Sequence, residues 1–433
     1  MICENIGVNA AGHLTFAGQD TVELAKQYAT PLYLMDEDRI RYNCRLYRDA
    51  FAVAFGPGSG AHYASKAASF KRIYEIMAQE GMGVDLVSPG EIATAMAAGF
   101  PMERSCFHGN NKTDEDISYA MDCGVGCFVA DSLTELERVN EEAGRRGICQ
   151  QVLLRLTPGI DPHTYEAVAT GKVDSKFGVA IETGQAEEFV KAALELKNLR
   201  LLGYHCHVGS QVFDQEGSVY LDAASIMMAF AADMQKKYGF TMEVFNIGGG
   251  FGVRYVESDP TVDIPANIRS LAEHIKALAR KLGIPMPRVL MEPGRSIVAD
   301  AGMTLYTAGT VKKITGYKNY VSIDGGMTDN PRYALYRSKY TVHLANRMEE
   351  RADFVCDVVG RCCESGDAIA PNVVLPEPNR GDIVAVCTTG AYNYSMASNY
   401  NRIPRPPIVM LSRGSSYTAV CRETLQDLLR NDI

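Results

Sequence analysis

Short apolar segments alternate with helix-like patterns through the middle of the chain. Each segment ends in glycine or polar residues, as buried strands do when a loop follows them. The segments comprise residues 62–64, 84–87, 105–107, 127–130, 152–156, 202–208, 244–247 and 289–291. This order predicts an α/β fold in the form of a (β/α)₈ TIM barrel, whose chemistry lies on the loops after the strands. A doubly wound open sheet is the competing fold, but it would not require a distinctive motif after nearly every strand.

The segments between these strands carry helix start signals. Ser88 is predicted to cap a helix, with Pro89 at its first position and Glu91 closing a capping box. Ser132 and Glu135 repeat the box before a later helix. These signals place helices between the strands, as the barrel requires.

The pattern changes at about residue 303 to strand-like runs separated by turns. The clearest runs comprise residues 320–323, 354–359, 382–386 and 408–411. They predict a second, mostly β domain at the C-terminal end, built as a β-sandwich or Greek-key barrel. We expect the barrel to span residues 36–302 and the β domain to comprise residues 303–433, with residues 1–35 joining it.

Composition narrows the class of protein. The net charge of −9 and the lack of a Lys/Arg cluster argue against nucleic acid and anionic membranes as partners. No run of 18 or more apolar residues predicts a membrane span, and the N-terminus does not resemble a signal peptide. The twelve cysteines lack zinc-site spacing, so we expect no metal and interpret them as buried thiols of a cytoplasmic protein.

Three consecutive glycines at 248–250 interrupt the chain after the seventh predicted strand. Such a run lets the backbone approach a ligand and turn its N–H groups toward an anion such as phosphate. No Gly-Lys-Ser/Thr follows, and the Gly-x-Gly-x-x-Gly spacing of a dinucleotide fold is absent. A plain tight turn is the alternative interpretation.

Other candidate residues also follow predicted strands. Lys66, after the first, could form a Schiff base with an aldehyde cofactor or be a surface lysine. After the eighth strand, Glu292 could hold a pyridine nitrogen protonated and Arg295 could bind phosphate or carboxylate, or the two could form an internal ion pair. After the sixth strand, His207 could stack on a flat ring and Ser210 could bind phosphate, although a buried core histidine is the common alternative.

Together a lysine, a glycine cradle, an acidic partner and a flat histidine meet the four needs of pyridoxal 5′-phosphate. At these places the chain resembles the fold-type III pyridoxal-phosphate decarboxylases, most closely the diaminopimelate decarboxylase family. The shared motifs comprise residues 63–67, 107–112, 170–178, 205–211, 246–252, 292–295, 324–332, 363–367 and 390–392.

The resemblance implies roles for individual residues. Lys66 would form the Schiff base, His207 would stack on the ring, Glu292 would pair with its nitrogen, and Cys363 would donate the proton that replaces CO₂. The remaining cofactor contacts would be Ser210, Gly249, Gly250, Arg295 and Tyr392. The substrate would be held by Arg295, Arg332, Tyr336, Glu364 and Tyr392, with Cys363 and Glu364 reaching the site from the other subunit of a homodimer.

The far end of the substrate determines specificity. Diaminopimelate carries a carboxylate there, for which Arg332 offers a bidentate fork, and an ammonium, for which Glu364 offers a carboxylate. Asn330 and Pro331 are interpreted as N-cap and N1 of a helix, which would place Arg332 and Tyr336 on one face at i, i+4.

The resemblance thus implies a cytoplasmic carboxy-lyase that converts meso-2,6-diaminopimelate to L-lysine and CO₂, the last step of lysine biosynthesis. A decarboxylase of ornithine or lysine, in L or D form, is the alternative. Less favoured are a pyridoxal-phosphate-binding homologue without turnover, which the presence of Lys66 and Cys363 argues against, and a racemase.

Overall fold

The structure is a computed structural model that describes residues 1–160, 175–213 and 217–433. Thr170 and Gly171 of one predicted motif lie outside the described residues. The chain divides into two compact units. The barrel unit comprises Asn43–Gly252 and Thr261–Gly294, and the β unit comprises Met1–Tyr42, Val253–Pro260 and Arg295–Ile433. The domain limits given above stay a prediction.

The described strands and helices are numbered in chain order. The strands are β1 Ile6–Val8, β2 Leu14–Phe16, β3 Gln19–Asp20, β4 Leu32–Asp36, β5 Gly60–Ala64, β6 Gly83–Leu86, β7 Ser105–Phe107, β8 Cys127–Ala130, β9 Gln150–Thr157, β10 Val179–Ala180, β11 Leu199–His205, β12 Val244–Asn246, β13 Arg288–Met291, β14 Gly302–Ile314, β15 Lys318–Ile323, β16 Val342–Leu344, β17 Phe354–Val359, β18 Ala368–Leu375, β19 Ile383–Cys387, β20 Ile408–Ser412 and β21 Ser415–Val420. The α-helices are α1 Thr21–Tyr28, α2 Glu37–Ala54, α3 Lys71–Gln79, α4 Pro89–Ala97, α5 Asp114–Asp122, α6 Leu133–Arg146, α7 Gln185–Glu195, α8 Ser218–Tyr238, α9 Ile264–Leu282, α10 Arg295–Val298, α11 Arg332–Tyr336 and α12 Leu425–Leu429.

A closed parallel barrel forms the centre of the barrel unit. Its strands pair in the order β5, β6, β7, β8, β9, β11, β12 and β13, and β13 pairs with β5 to complete the ring. Each of the eight apolar segments of the sequence overlaps one of these strands, so the TIM-barrel prediction is confirmed and the open sheet is wrong. The interior is filled by apolar and thiol side chains, namely Cys106, Cys127, Val129, Leu153, Leu202, Val244 and Leu290.

Helix α4 begins as predicted but is capped differently. Ser88 Oγ accepts the N–H of Glu91, and Pro89 occupies the first turn. The Glu91 carboxylate does not return to Ser88; it accepts the N–H of Val87 at 2.8 Å and the hydroxyl of Ser65 at 2.7 Å. The capping box is therefore half formed, and its acidic member instead joins α4 to the loop after β5.

The β unit is built mainly from one mixed sheet. Its strands follow the order β18, β17, β15, β14, β4, β20 and β21, while β19 pairs with β14 and β16. Strand β4, from the N-terminal part of the chain, lies between β14 and β20. The four strand-like runs predicted after residue 303 correspond to β15, β17, β19 and β20, which confirms a mostly β second region. Within the described residues, none of the helices has the length and apolar character needed to span a bilayer.

Candidate active site

Glu292 is a buried acidic group that directly follows strand β13, at the carboxyl end of the barrel strands. Its Oε1 accepts Asn246 Nδ2 at 2.6 Å and lies 2.8 Å from His108 Nε2, while its Oε2 lies 3.1 Å from His205 Nε2. Burial alone would raise the pKa of Glu292, but the two imidazoles and their hydrogen bonds bring the pKa well below its usual value. The structure thus fixes an ionised carboxylate after β13.

His108, His205 and Glu292 also have spacing that a metal ion could use. Their ligand atoms lie within 4.8 Å of one another, and all three side chains are buried. The same atoms already satisfy one another by hydrogen bonds. Hydrogen bonding explains this arrangement directly, and the absence of a metal stays a prediction.

Lys66 lies in the turn Ser65–Ala67 that follows β5. Its Nζ is 3.8 Å from Oδ2 of Asp85, a buried carboxylate at the neighbouring strand. Burial raises the pKa of Asp85, an effect that the nearby charges of His108 and Lys66 reduce. Asp85 Oδ1 receives no hydrogen bond from the described residues. The lysine amine therefore lies beside a desolvated carboxylate, which sequence reasoning missed although Asp85 lies within the second predicted strand.

The backbone around Lys66 is held by a short hydrogen-bond chain. Ser65 Oγ lies 2.7 Å from both the carbonyl oxygen of Asp85 and Oε2 of Glu91. Burial raises the pKa of Glu91 to about 7. Ser65 and Glu91 thus position the turn that carries the lysine.

His207 lies beyond the end of β11 and its ring is fixed by the glycine loop. Its Nδ1 accepts the N–H of Gly249 at 3.2 Å. Desolvation, and then the positive charge of Lys66, lowers the pKa of His207 well below its usual value. The imidazole is therefore neutral, with Nδ1 as acceptor and the proton on Nε2.

The glycines after β12 have a structural role that the sequence did not indicate. A Cβ on Gly249 would lie 2.0 Å from the carbonyl oxygen of Glu292, and one on Gly250 would lie 2.3 Å from that of Gly209. Glycine is required there because the loops after β11, β12 and β13 pack backbone to backbone. Ser210 is half-buried in the same group of loops. Phosphate binding by these residues stays a prediction.

The residues of the barrel unit fit pyridoxal phosphate. An amine at Lys66, an ionised carboxylate at Glu292 and a neutral imidazole at His207 supply the bond, the ring-nitrogen partner and the flat contact that this cofactor needs. All three follow carboxyl ends of barrel strands, where TIM-barrel enzymes hold their ligands.

A second group of candidate residues, the arginine–tyrosine cluster, lies within the β unit. The guanidinium of Arg295 lies 4.8 Å from the ring centroid of Tyr392, and its Nη1 donates to Tyr255 Oη at 2.7 Å. The guanidinium of Arg332 lies 5.2 Å from the ring of Tyr392 and 4.8 Å from that of Tyr336. Tyr392 therefore contacts both cations, and both arginines are buried.

Arg332 lacks the partner that a buried cation normally has. Among the described residues no carboxylate lies within 4.0 Å of its guanidinium, and its Nε has no acceptor. A buried charge is costly unless an opposite charge offsets it. The charge of Arg332 thus indicates that an anionic group of a ligand binds beside it.

The start of the helix that carries Arg332 differs from the prediction by one residue. Helix α11 runs from Arg332 to Tyr336 with Pro331, not Asn330, as its N-cap. Asn330 is fully buried, and among the described residues its amide atoms have no partner. Pro331 adopts helical angles, φ −80° and ψ −8°, so it takes the position that the asparagine was expected to fill.

The loop carrying Cys363 and Glu364 lies at the surface of the β unit. The N–H of Cys363 donates to Asn401 Oδ1 at 2.7 Å, and the side chains of Cys363 and Glu364 are exposed. Cys362 is buried, and its N–H donates to the Asp367 carboxylate at 2.7 Å. Of the two adjacent thiols, Cys363 is therefore the accessible one. Asp367, which closes the 363–367 motif, positions this loop, a role that the sequence did not indicate.

Comparison with known proteins agrees with these features. Residues 37–299 match the model of the pyridoxal-dependent decarboxylase, pyridoxal binding domain. The chain is 43% identical to the diaminopimelate decarboxylase of Bacillus subtilis (strain 168) over 425 residues, 98% of this chain and 96% of that protein. It is 42% identical to the diaminopimelate decarboxylase of Staphylococcus aureus (strain COL), with 98% of each chain covered.

Solved structures show the same likeness. The crystal structure of diaminopimelate decarboxylase from M. jannaschii in complex with L-lysine has a TM-score of 0.90 and 33% identity, covering 99% of this chain and 98% of that one. The lysine/ornithine decarboxylase of Vibrio vulnificus complexed with putrescine is less similar, with a TM-score of 0.75 and 26% identity over 90% of this chain and 97% of that one. The chain therefore belongs to the pyridoxal-dependent decarboxylases and, within them, to the diaminopimelate decarboxylase family.

Proposed function

We propose that this protein decarboxylates meso-2,6-diaminopimelate to L-lysine and CO₂, the last step of lysine biosynthesis. The observation that carries the choice of substrate is the buried Arg332, which has no carboxylate partner among the described residues. Diaminopimelate supplies a distal carboxylate for such a group, whereas ornithine and lysine have none. The curated relatives named diaminopimelate decarboxylase support the same choice.

The reaction breaks the bond between Cα and its carboxylate and leaves an electron pair on Cα. Bound pyridoxal phosphate supplies the electron sink for that pair. Lys66 would hold the cofactor, with Asp85 beside its amine, and the neutral ring of His207 would lie against it. Glu292 would keep the proton on the cofactor's ring nitrogen, since its own carboxylate is ionised. A proton from the Cys363 thiol would then complete the product at Cα.

The ionised state of Glu292 gives a testable expectation. Replacing Glu292 with Gln keeps the shape and some hydrogen bonds but removes the negative charge. We expect kcat to fall about 10²-fold, because a preorganised charge at the reacting system is lost. Steady-state CO₂ release at saturating pyridoxal phosphate measures the effect. Glu243→Gln, at an exposed carboxylate paired with Arg200, is the matched control and should retain wild-type kcat.

Binding of the substrate's far end is assigned to the β unit. Arg332 would form a bidentate pair with the distal carboxylate, and Tyr336 and Tyr392 would orient its guanidinium through their rings. Glu364 would accept the distal ammonium. Arg295, oriented by Tyr255, would bind a second anionic group, either the cofactor's phosphate or a substrate carboxylate.

Substitution of Arg332 tests this assignment. Arg332→Ala should lower kcat/KM for diaminopimelate about 10²-fold, mostly through KM, because a charge-assisted pair to the substrate is lost. Arg332→Lys should recover only part of the loss, since an ammonium lacks the fork. Arg351→Ala removes an arginine that is 86% exposed and should leave kcat/KM unchanged. An equal loss in kcat for the two Arg332 variants, with KM unaltered, would contradict a binding role.

The function itself is tested by CO₂ release from the purified protein loaded with pyridoxal phosphate. Meso-diaminopimelate, L- and D-ornithine, and L- and D-lysine are compared at equal concentrations. Faster release from ornithine or lysine would assign the chain to the alternative decarboxylases. Racemised amino acid without CO₂ would identify a racemase, and no turnover of any substrate would identify a cofactor-binding homologue.

We further propose that the enzyme is a cytoplasmic homodimer with shared active sites. Cys363 and Glu364 are exposed on the single chain, which suits residues that serve a partner's site. All twelve cysteines lie within the described residues and are free thiols, which supports a reducing compartment. Cell fractionation tests the location, and analytical ultracentrifugation tests the dimer.

A further inference from the structure

A cavity of about 350 Å³ lies at the end of the barrel where the strands begin. Gly60, Gly83, Ser105 and Arg288 line it, and each is the first residue of its barrel strand. The candidate active-site residues follow the last residues of the strands, so they lie at the other end of this parallel barrel. The cavity volume is within the range of small-molecule sites.

The inner wall of the cavity presents an imidazole and two thiols. His62 Nδ1 lies 3.6 Å from Cys106 Sγ, and Cys106 pairs in register with Cys127 on the next strand. A Cβ on Gly83 would lie 2.5 Å from the His62 ring. Glycine at this position therefore leaves room for the imidazole, which lines the cavity as a polar group above the apolar barrel core.

The outer part of the cavity is positively charged. The charged residues that line it are Arg48, Arg104, Arg288 and Glu103. Arg48 is compensated, since it lies 2.9 Å from Asp49 and 3.7 Å from Glu80. The lining then holds two further arginines and a single carboxylate, that of Glu103, so it keeps a net positive charge.

Arg104 and Arg288 have no acidic partner in the part of the chain that the structure describes. Within the described residues no carboxylate lies within 4.0 Å of either guanidinium. Arg104 Nη2 donates to the carbonyl oxygen of Met82, and its guanidinium lies 5.7 Å from the ring of Phe100. These contacts orient the Arg104 fork without neutralising its charge. A concave surface of one sign concentrates the electrostatic field and attracts counter-ions.

We propose that this cavity is a second binding site, in which Arg104 and Arg288 hold a carboxylate or phosphate group of a small anion and His62 lines the inner end. Guanidinium forks match both groups geometrically. The ligand would bind away from the reacting residues and at the opposite end of the strands. This inference does not rest on the proposed reaction, because it uses none of the residues assigned to catalysis.

Met82 provides a site-specific probe, since it is one of the lining residues and its carbonyl oxygen accepts a hydrogen bond from Arg104. The full chain, loaded with pyridoxal phosphate, is labelled with ¹³C-methyl methionine, and Met82→Leu assigns the resonance. Inorganic phosphate and malonate are titrated separately, with ionic strength held constant by NaCl. We expect a saturable shift of the Met82 methyl with at least one of the two anions. Saturation by phosphate alone would assign a phosphate-bearing ligand, and by malonate alone a carboxylate-bearing one.

Two double variants make the test specific. Arg104→Gln/Arg288→Gln should weaken binding about tenfold or more, because two charge-assisted contacts are lost. Arg269→Gln/Arg280→Gln removes the same charge from exposed positions of α9 and should bind as the wild type does. The proposal is overturned if neither anion gives a saturable shift, or if the cavity variant binds as tightly as the α9 variant. If the cavity variant does not fold, Arg288→Gln alone is used, because this residue is exposed. Anion binding by Arg288→Gln that is as tight as binding by the α9 variant would then overturn the proposal.

Discussion

Replacing Lys66 with alanine is expected to abolish decarboxylation and the covalent retention of pyridoxal phosphate. Activity should fall below roughly one-thousandth of the wild-type rate, because the nucleophilic amine has no substitute. Lys112, another lysine at this end of the barrel, is committed elsewhere: its Nζ lies 2.6 Å from Glu135 Oε1 and donates to the carbonyl oxygen of Val129 at 2.9 Å. Lys66 lies instead beside Asp85 in the turn after β5, where its own side chain is exposed.

Borohydride reduction followed by peptide mass spectrometry measures the covalent link directly. In the wild type the cofactor's mass should be found on the peptide that contains Lys66. Lys71→Ala, at an exposed lysine five residues later, is the matched control and should keep both the modification and the activity. Cofactor mass on a different lysine in the wild type would show that Lys66 has been wrongly assigned.

Mixing two inactive variants is expected to restore activity if the active sites are shared. Lys66→Ala supplies an intact Cys363, and Cys363→Ala supplies an intact Lys66. A mixed dimer then contains one complete site, so random exchange should recover roughly a quarter of wild-type activity. The exposure of Cys363, in contrast to the buried Cys362, makes its thiol available to a partner chain.

The control mixes Lys66→Ala with the double variant Lys66→Ala/Cys363→Ala. This pair cannot form a complete site under any arrangement and should remain inactive. Differently tagged subunits, isolated together, prove that exchange has occurred. Proven mixed dimers without activity would show that Cys363 does not serve the partner's site.

Local sequence patterns were sufficient to predict the barrel. Buried parallel strands require short continuous apolar segments, and each helix between them needs its own start signal. Both features can therefore be recognised from a few consecutive residues. The position of Lys66 or Glu292 directly after a strand also fixes the end of the barrel at which it lies. The end of the barrel at which Lys66 and Glu292 lie could therefore be predicted without any knowledge of their neighbours.

The hydrogen-bond and packing partners of the site residues could not be predicted from local patterns. Glu292 meets His108, which is 184 positions away, and Asn246, which is 46 positions away, because the ring of strands closes. The glycines after β12 were expected to serve a ligand, yet their Cβ positions are blocked by carbonyl oxygens of neighbouring loops. No sequence window contains both members of such a contact.

The sequence by itself determined the order of strands and helices, the second β region and the chemical types present at the strand ends. Hydrophobic periodicity, capping and turn residues act over one element, and their information is local. Only the tertiary structure decided the ionisation of Glu292, the tautomer of His207, which of two adjacent thiols is exposed, and the arginines at the far end of the barrel that have no carboxylate partner among the described residues. Charge state and exposure depend on every group that packs around an atom, and those groups come from strands distant in the chain.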